Sequence, residues 1–299
     1  MAKEGGNRAA SIKQRLLNLA RREGRVYEVV LVRYALERLL YRLSISEQKD
    51  RFILKGGMLV TLWLAGGNRE TRDADFLGFG DADQERLRAV FAEIMAVDVD
   101  DGLIFDVEGL RATIIREEME YNGIRLRTAG LLERTRIPVT IDIGFGDVLA
   151  SAAPPMAYPS MLGMETPHIR TYPPAAVIAE KFQAIVALGV INGRMKDYFD
   201  LWAIPQALAL SESELDAAIS ATFQRRGTPI PADPPPGLSD AFLREASKQA
   251  QWRAYARSIQ LEGVTLDEVV AEIWKLVGPT CARLSASRGL QQDTASQRR

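Results

Sequence analysis

The stretch Phe52–Phe79, FILKGGMLVTLWLAGGNRETRDADFLGF, constrains the fold more than any other part of the chain. Phe52 to Leu54 is a short apolar run before Lys55. Gly56 and Gly57 interrupt it, and Met58 to Ala65 resumes it at helical length. The pattern predicts a strand, a glycine turn and a helix. Gly66 and Gly67 end that helix, Arg69 and Arg72 follow, and Asp73-Ala74-Asp75-Phe76-Leu77 returns to an extended pattern. A helix that opens on two glycines offers bare backbone N–H groups at its positive end, with no side chain to hold a phosphate away. Gly56 and Gly57 are therefore candidate phosphate contacts, with Lys55 and Arg72 as nearby cations. Residues two apart on a strand face the same side, so Asp73 and Asp75 point together. Neighbouring carboxylates repel, and a hard divalent ion such as Mg²⁺ relieves the repulsion. A D-x-D is also common on solvated strand ends, and the motif alone does not separate the two readings.

A third carboxylate is available farther along. In Ile137–Gly144, Val139, Ile141 and Ile143 alternate with Thr140, Asp142 and Gly144, which places Asp142 on the face opposite the apolar residues. An ionised group there needs a partner. Asp147, in the turn beyond, is the rival, although turn aspartates commonly serve the turn itself. Later, Lys181 has Val177, Ile178, Ala184 and Ile185 as its helical neighbours, so its ammonium rises from a largely apolar face and calls for an anion or an escape to solvent. The run Arg194-Met195-Lys196-Asp197 precedes another apolar helix, where Asp197 suits a helix start and Asp200 lies one turn on. A phosphate cradle beside metal-binding carboxylates points to phosphoryl or nucleotidyl transfer.

The runs LKGGMLVTLW and RETRDADFLGFG, followed by YPPAAVIAEKFQAIVALGVINGRMKDYFDLW from Tyr172 to Trp202, resemble the AbiEii/AbiGii toxin family. That family is a branch of the polymerase-beta-like nucleotidyltransferases, and the resemblance spans roughly Leu36 to Leu208. It implies an α+β core, a mixed sheet with flanking helices, followed by a helical lobe, with the active site in the cleft between them. It further implies that Asp73, Asp75 and Asp142 hold one or two Mg²⁺ ions, or Mn²⁺, and that Asp142 helps deprotonate the acceptor hydroxyl. Lys181 would contact the triphosphate, with Arg194, Lys196 and Asp197 in the same active site. The implied activity is transfer of a nucleotide from an NTP to tRNA by a toxin that a separately encoded antitoxin restrains. The superfamily often has Ser where this chain has Gly57, which removes a hydroxyl contact to phosphate and leaves the N–H donor.

Composition sets the outer bounds. The 299 residues can hold one sizeable core and a second lobe, and the net charge of −1 gives no global field to attract nucleic acid. Residues 1–45 nevertheless carry ten Lys/Arg against four Asp/Glu, a local excess that suits a polynucleotide backbone or a solvated helix face equally. One cysteine, Cys281, rules out an internal disulfide framework and a cysteine-built zinc site, and fits the cytoplasm. The single histidine, His168, makes a Ser-His-Asp triad improbable. No signal peptide and no membrane-spanning run are expected. The expected order is N-terminal helices over 1–45, a core over 46–150, a proline-rich linker over 151–175, a helical lobe over 176–285 and a disordered tail over 286–299.

Overall fold

In a computed structural model, residues 2–64, 69–116 and 122–296 are described. The helix-ending glycines Gly66 and Gly67 lie outside them. The chain divides into two compact units, the first comprising Met1–Leu59, Glu70–Gly146 and Ala153–Thr171, the second Val60–Arg69, Asp147–Ala152 and Tyr172–Arg299.

The first unit opens with two helices, α1 (Ala2–Glu23) and α2 (Tyr27–Ile45). Strand β1 (Phe52–Lys55) then leads through Gly56 into helix α3 (Gly57–Trp63), and β2 (Ala74–Gly78), α4 (Gln84–Ala96), β3 (Leu103–Phe105), β4 (Arg111–Arg116), β5 (Asn122–Leu132) and β6 (Thr135–Phe145) follow. They form a six-stranded mixed sheet in the order β1-β2-β6-β5-β3, with β4 also paired to β5. Only β2 and β6 run parallel.

Alternation decides which face of the sheet is covered. Ile137, Val139, Ile141 and Ile143 of β6 are buried, as are Ala74 and Phe76 of β2, and α2 and α4 pack over the sheet. Phe52, Phe76 and Phe91 meet there with ring centroids 5.0–6.3 Å apart. Asp83 caps α4 by accepting from the Arg86 N–H, ending the turn that leaves β2. The helical spacing of Val32, Leu36, Leu39 and Leu43 in α2 corresponds to a buried stripe, each leucine worth roughly 2 kcal/mol in area removed from water.

The proline-rich stretch expected as a linker is part of this unit. Its strands β7 (Pro155–Ala157) and β8 (His168–Arg170) pair as a small hairpin, and Thr171 bridges to Leu54 of β1. Polar groups on α1 and α2 fasten it. The Met161 N–H donates to Glu37 Oε2 at 2.7 Å, Arg38 Nη2 donates to the Glu165 carbonyl at 2.7 Å, and Arg15 donates to the Leu162 carbonyl. Prolines remove backbone donors but leave these carbonyls free to accept.

The second unit is helical: α5 (Pro174–Leu188), α6 (Met195–Ala207), α7 (Glu212–Arg225), α8 (Asp240–Arg244), α9 (Ala246–Ser258) and α10 (Leu266–Ser296). Helices α8 and α9 are separated at Glu245, whose backbone is extended. Residues 286–296, expected in a disordered tail, continue α10. Pro174–Ile191 is long and apolar enough to cross a membrane by length and composition, contrary to the expectation that no run reaches that length. Its apolar residues Val177, Ile178, Phe182 and Ile185 are buried inside the helical unit, where α5 packs on α6 and α7.

A buried ion pair in the first unit joins α2 to the loop before β3. Arg42 donates to both oxygens of Asp101 at 2.5 and 3.1 Å and to the carbonyls of Leu103 and Val97, with both charged residues almost fully buried. Asp101→Ala strands the guanidinium in the core and is expected to cost about 3–5 kcal/mol in chemical denaturation. A loss below about 1 kcal/mol would contradict that assignment.

Candidate active site

Strand register assembles the site. Asp75 and Asp142 are partners across the parallel β2/β6 pair, and the same row continues to Lys55 on β1 and Arg125 on β5. Register partners face the same side of a sheet, so these four side chains project from the face opposite the phenylalanine cluster. Asp73, just before β2, has the parity of Asp75 and joins it. Single oxygens of Asp73, Asp75 and Asp142 all lie within 4.8 Å of one another, the one such group of potential metal ligands among the described residues. Each carboxylate has its own holder. Thr71 Oγ1 donates to Asp73 Oδ1 at 2.8 Å, the Gly57 N–H donates to Asp75 Oδ2 at 3.3 Å, and Arg125 grips both oxygens of Asp142 at 2.6 and 2.5 Å.

The electrostatics follow. Burial pushes the Asp75 carboxyl up to about 6, with the charges of Asp73 and Asp142 adding to it and Lys55 and the Gly57 N–H opposing. Hydrogen bonding to Asp142 holds the Arg125 guanidinium above its ordinary value. Three acidic groups crowded together, one disfavoured as an anion, form an all-oxygen donor set that a hard divalent cation fits.

The helical unit holds a second charged cluster. Lys181 Nζ, on α5, lies 2.5 Å from Asp197 Oδ1 and 2.8 Å from Asp200 Oδ2, both on α6. Arg69 grips both oxygens of Asp200 at 3.0 and 2.9 Å, and Arg194 Nε lies 2.7 Å from Asp197 Oδ2. Asp197 and Asp200 are fully buried. Burial pulls the Lys181 ammonium down, but Asp197 and Asp200 outweigh it and hold the group above the ordinary lysine value. Burial likewise raises Asp200, and Lys181 and Arg69 bring it below the ordinary carboxylate range.

The family model for the nucleotidyl transferase AbiEii toxin of Type IV toxin–antitoxin systems matches residues 38–272. The chain belongs to the AbiEii nucleotidyltransferase toxin family. Among solved structures it is similar to the MenT4 nucleotidyltransferase toxin of Mycobacterium tuberculosis, at 19% identity, a TM-score of 0.49 and coverage of 90% of this chain and 98% of that one. It is also similar to a putative nucleotidyltransferase of H. pylori, at 11% identity and a TM-score of 0.48, covering 87% of this chain and 98% of that one. No curated protein matches.

In this AbiEii-family enzyme the structure brings Asp73, Asp75 and Asp142 together with Lys55, and separately gathers Lys181, Asp197 and Arg194. Asp147, the rival third carboxylate, instead pairs with Arg226 in the helical unit at 3.3 Å. Arg72 is exposed beside Glu70, and Lys196 is exposed on the first turn of α6. Gly56 and Gly57 have a role the sequence did not suggest. Gly56 sits at φ +66°, and a Cβ there would run into the Asp75 carboxylate, while the Gly57 N–H is already donated to it. The turn is shaped around an aspartate.

Sequence reasoning missed Arg125, Thr71, Arg69 and the buried pairing of Asp200. Arg125 was findable only once β5 had a register, since its strand alternates weakly. The basic excess of residues 1–45 is largely absorbed within the first unit. Arg8 pairs with Asp100, Lys13 with Glu133, Arg25 with Glu23 and Arg42 with Asp101.

Gly56→Ala is expected to move the Asp75 carboxylate and weaken Mn²⁺ binding at least tenfold, the effect of losing a group that orients a ligand. Titration followed by electron paramagnetic resonance would show it. Wild-type affinity in a folded variant would refute the reading of the glycine turn.

Proposed function

We propose that this enzyme moves a nucleoside monophosphate from an NTP to an acceptor hydroxyl, with tRNA as the acceptor, in the cytoplasm and under the restraint of a separately encoded antitoxin. The observation that carries the catalytic part is the convergence of Asp73, Asp75 and Asp142 on one sheet face. Family membership supports the toxin, the nucleotide and the antitoxin. The tRNA acceptor and the metal rest on the resemblance of the motifs and on the donor set.

Asp73, Asp75 and Asp142 are the residues that hold Mg²⁺, singly or as a pair of ions, with Mn²⁺ an acceptable substitute for an all-oxygen site. When bound, the ion supplies charge neutralisation for the phosphates and a lower pKa for the attacking hydroxyl. Asp142 is assigned to accept the proton of that hydroxyl, as the family resemblance implies. Arg125 fixes the plane of its carboxylate through two charge-assisted hydrogen bonds. Lys55, in register with Asp75, keeps a positive charge on the same row. The Gly56–Gly57 turn is assigned to the β- and γ-phosphates, a contact for which the Gly57 N–H would have to leave Asp75 Oδ2.

Within the helical unit, Lys181 is the cation assigned to the charge that builds on pyrophosphate as it leaves, with Arg194 and Lys196 as supplementary donors. Asp197 and Asp200 hold its ammonium in one place and keep it protonated. Arg69 fixes Asp200 in turn, so Lys181 is oriented without being left as an isolated buried charge.

Incubation with Mg²⁺, each labelled NTP and total tRNA is expected to place label on RNA and release pyrophosphate. Asp73→Ala is expected to lower transfer by about a hundredfold or more, the scale of removing one charge-stabilising group. Label on protein or small molecules alone would overturn the tRNA assignment. Equal transfer by wild type and variant would overturn the metal site.

A further inference from the structure

The sheet face that carries the carboxylates does not end at Arg125. Two residues farther along β5, Arg127 pairs with Thr140 of β6 on one side and with Arg111 of β4 on the other. Thr140 is one residue beyond the position next to Ala74, so the row that begins at Asp73 continues through Thr140 and Arg127 to Arg111. All project from the face of Asp75 and Asp142.

Two arginines directly opposite each other on an antiparallel pair repel and destabilise the pairing. Such pairs are normally offset by a carboxylate on an adjacent strand. Here Arg127 is exposed and forms no ion pair among the described residues, while Arg111 is exposed, its Nη1 donates to the carbonyls of Glu108 and Leu110 at 2.8 and 3.2 Å, and it lies within electrostatic reach of Asp106, whose carboxylate also pairs with Arg136 at 3.0 Å. With a strand spacing of about 4.8 Å, Arg127 lies roughly 10 Å and Arg111 roughly 14 Å from the Asp73 line. Those separations correspond to one to three nucleotides of a polynucleotide backbone, at roughly 6 Å per phosphate. Arg111, Arg127 and Arg136 against the single carboxylate of Asp106 leave a net positive strip that begins where Asp73, Asp75 and Asp142 end and runs away from them across the sheet.

We infer that Arg127 and Arg111 form a track for the phosphodiester backbone of a nucleic-acid acceptor, leading its reactive end toward Asp73, Asp75 and Asp142. The inference rests on the reading of this face as a nucleotidyltransferase site with an RNA acceptor, and deepens it by placing that acceptor. It also accounts for a protein with net charge −1 binding a polyanion without its N-terminal basic residues, most of which are paired within the fold. Bare guanidinium groups facing phosphates bind through counterion release, so the contact is sequence-independent and steeply salt-dependent.

The test uses the full chain and fluorescence anisotropy with labelled total tRNA over a range of salt concentrations, alongside titration with an NTP and Mg²⁺. Arg127→Glu is compared with Arg134→Glu, an equal charge change at an exposed residue outside the row. Arg127→Glu, and Arg111→Glu likewise, are expected to weaken RNA binding about tenfold near 0.1 M salt and to flatten the salt slope by about one, with NTP affinity unchanged. Arg127→Lys is expected to restore most of the affinity, and the melting temperature of Arg127→Glu to be no lower than wild type because a like-charge pair is removed. Equal RNA affinity for Arg127→Glu and Arg134→Glu overturns the inference while the transfer reading stands. Weakened NTP binding with RNA binding intact assigns the arginines to the triphosphate and overturns it as well. A wild-type protein that binds NTP but no RNA at any salt concentration overturns both the track and the RNA acceptor.

Discussion

The first unit is governed by electrostatic repulsion that the fold creates. Parallel pairing of β2 with β6 sets Asp75 directly beside Asp142, and the parity of β2 adds Asp73 to the same face. Nothing about stability requires three carboxylates there. Burial and mutual repulsion push the Asp75 carboxyl up to about 6, which is a cost the folded state carries. The surrounding residues read as a response to it. Gly56 leaves room for the Asp75 carboxylate, the Gly57 N–H donates to it, Thr71 donates to Asp73, and Arg125 binds Asp142 at both oxygens. Perturbed charge of that kind clusters at functional sites.

The helical unit meets the same problem with the opposite solution. Lys181, Arg69, Asp197 and Asp200 bury charges that are matched in sign and number, joined by short contacts of which Arg69–Asp200 is two-pronged. Desolvation of such a group is expensive and is only offset when every member has a partner. An apolar replacement of the whole cluster would leave the helices free to pack. As it stands, the cluster holds one ammonium, that of Lys181, in a fixed position and favours its protonated form.

Much of this was legible along the chain because it depends on local periodicity. The strand, glycine turn and helix at Phe52–Trp63, the alternation of Ile137–Gly144, and the helical stripe of α2 each follow from side-chain spacing of two or 3.6 residues. The acidic residues were likewise readable, because a carboxylate on a strand face declares its side by parity. The proline-rich stretch was misread as a linker because proline density reports where a chain lacks donors, not whether its carbonyls are used. Glu165 and Leu162 supply carbonyls to Arg38 and Arg15 of α2 and α1, and no local signal announces that.

By itself the sequence determined the element types, the family motifs and the pair Asp73 and Asp75, since each is written within a few neighbouring positions. Only the tertiary structure decided that Asp142 and not Asp147 joins Asp73 and Asp75, that Arg125 and Lys55 share their row, and that Arg111 faces Arg127. Those facts are set by strand order and register, which arise from contacts between segments far apart in the chain. Periodicity gives the face on which a side chain lies, but not which strand comes to lie beside it.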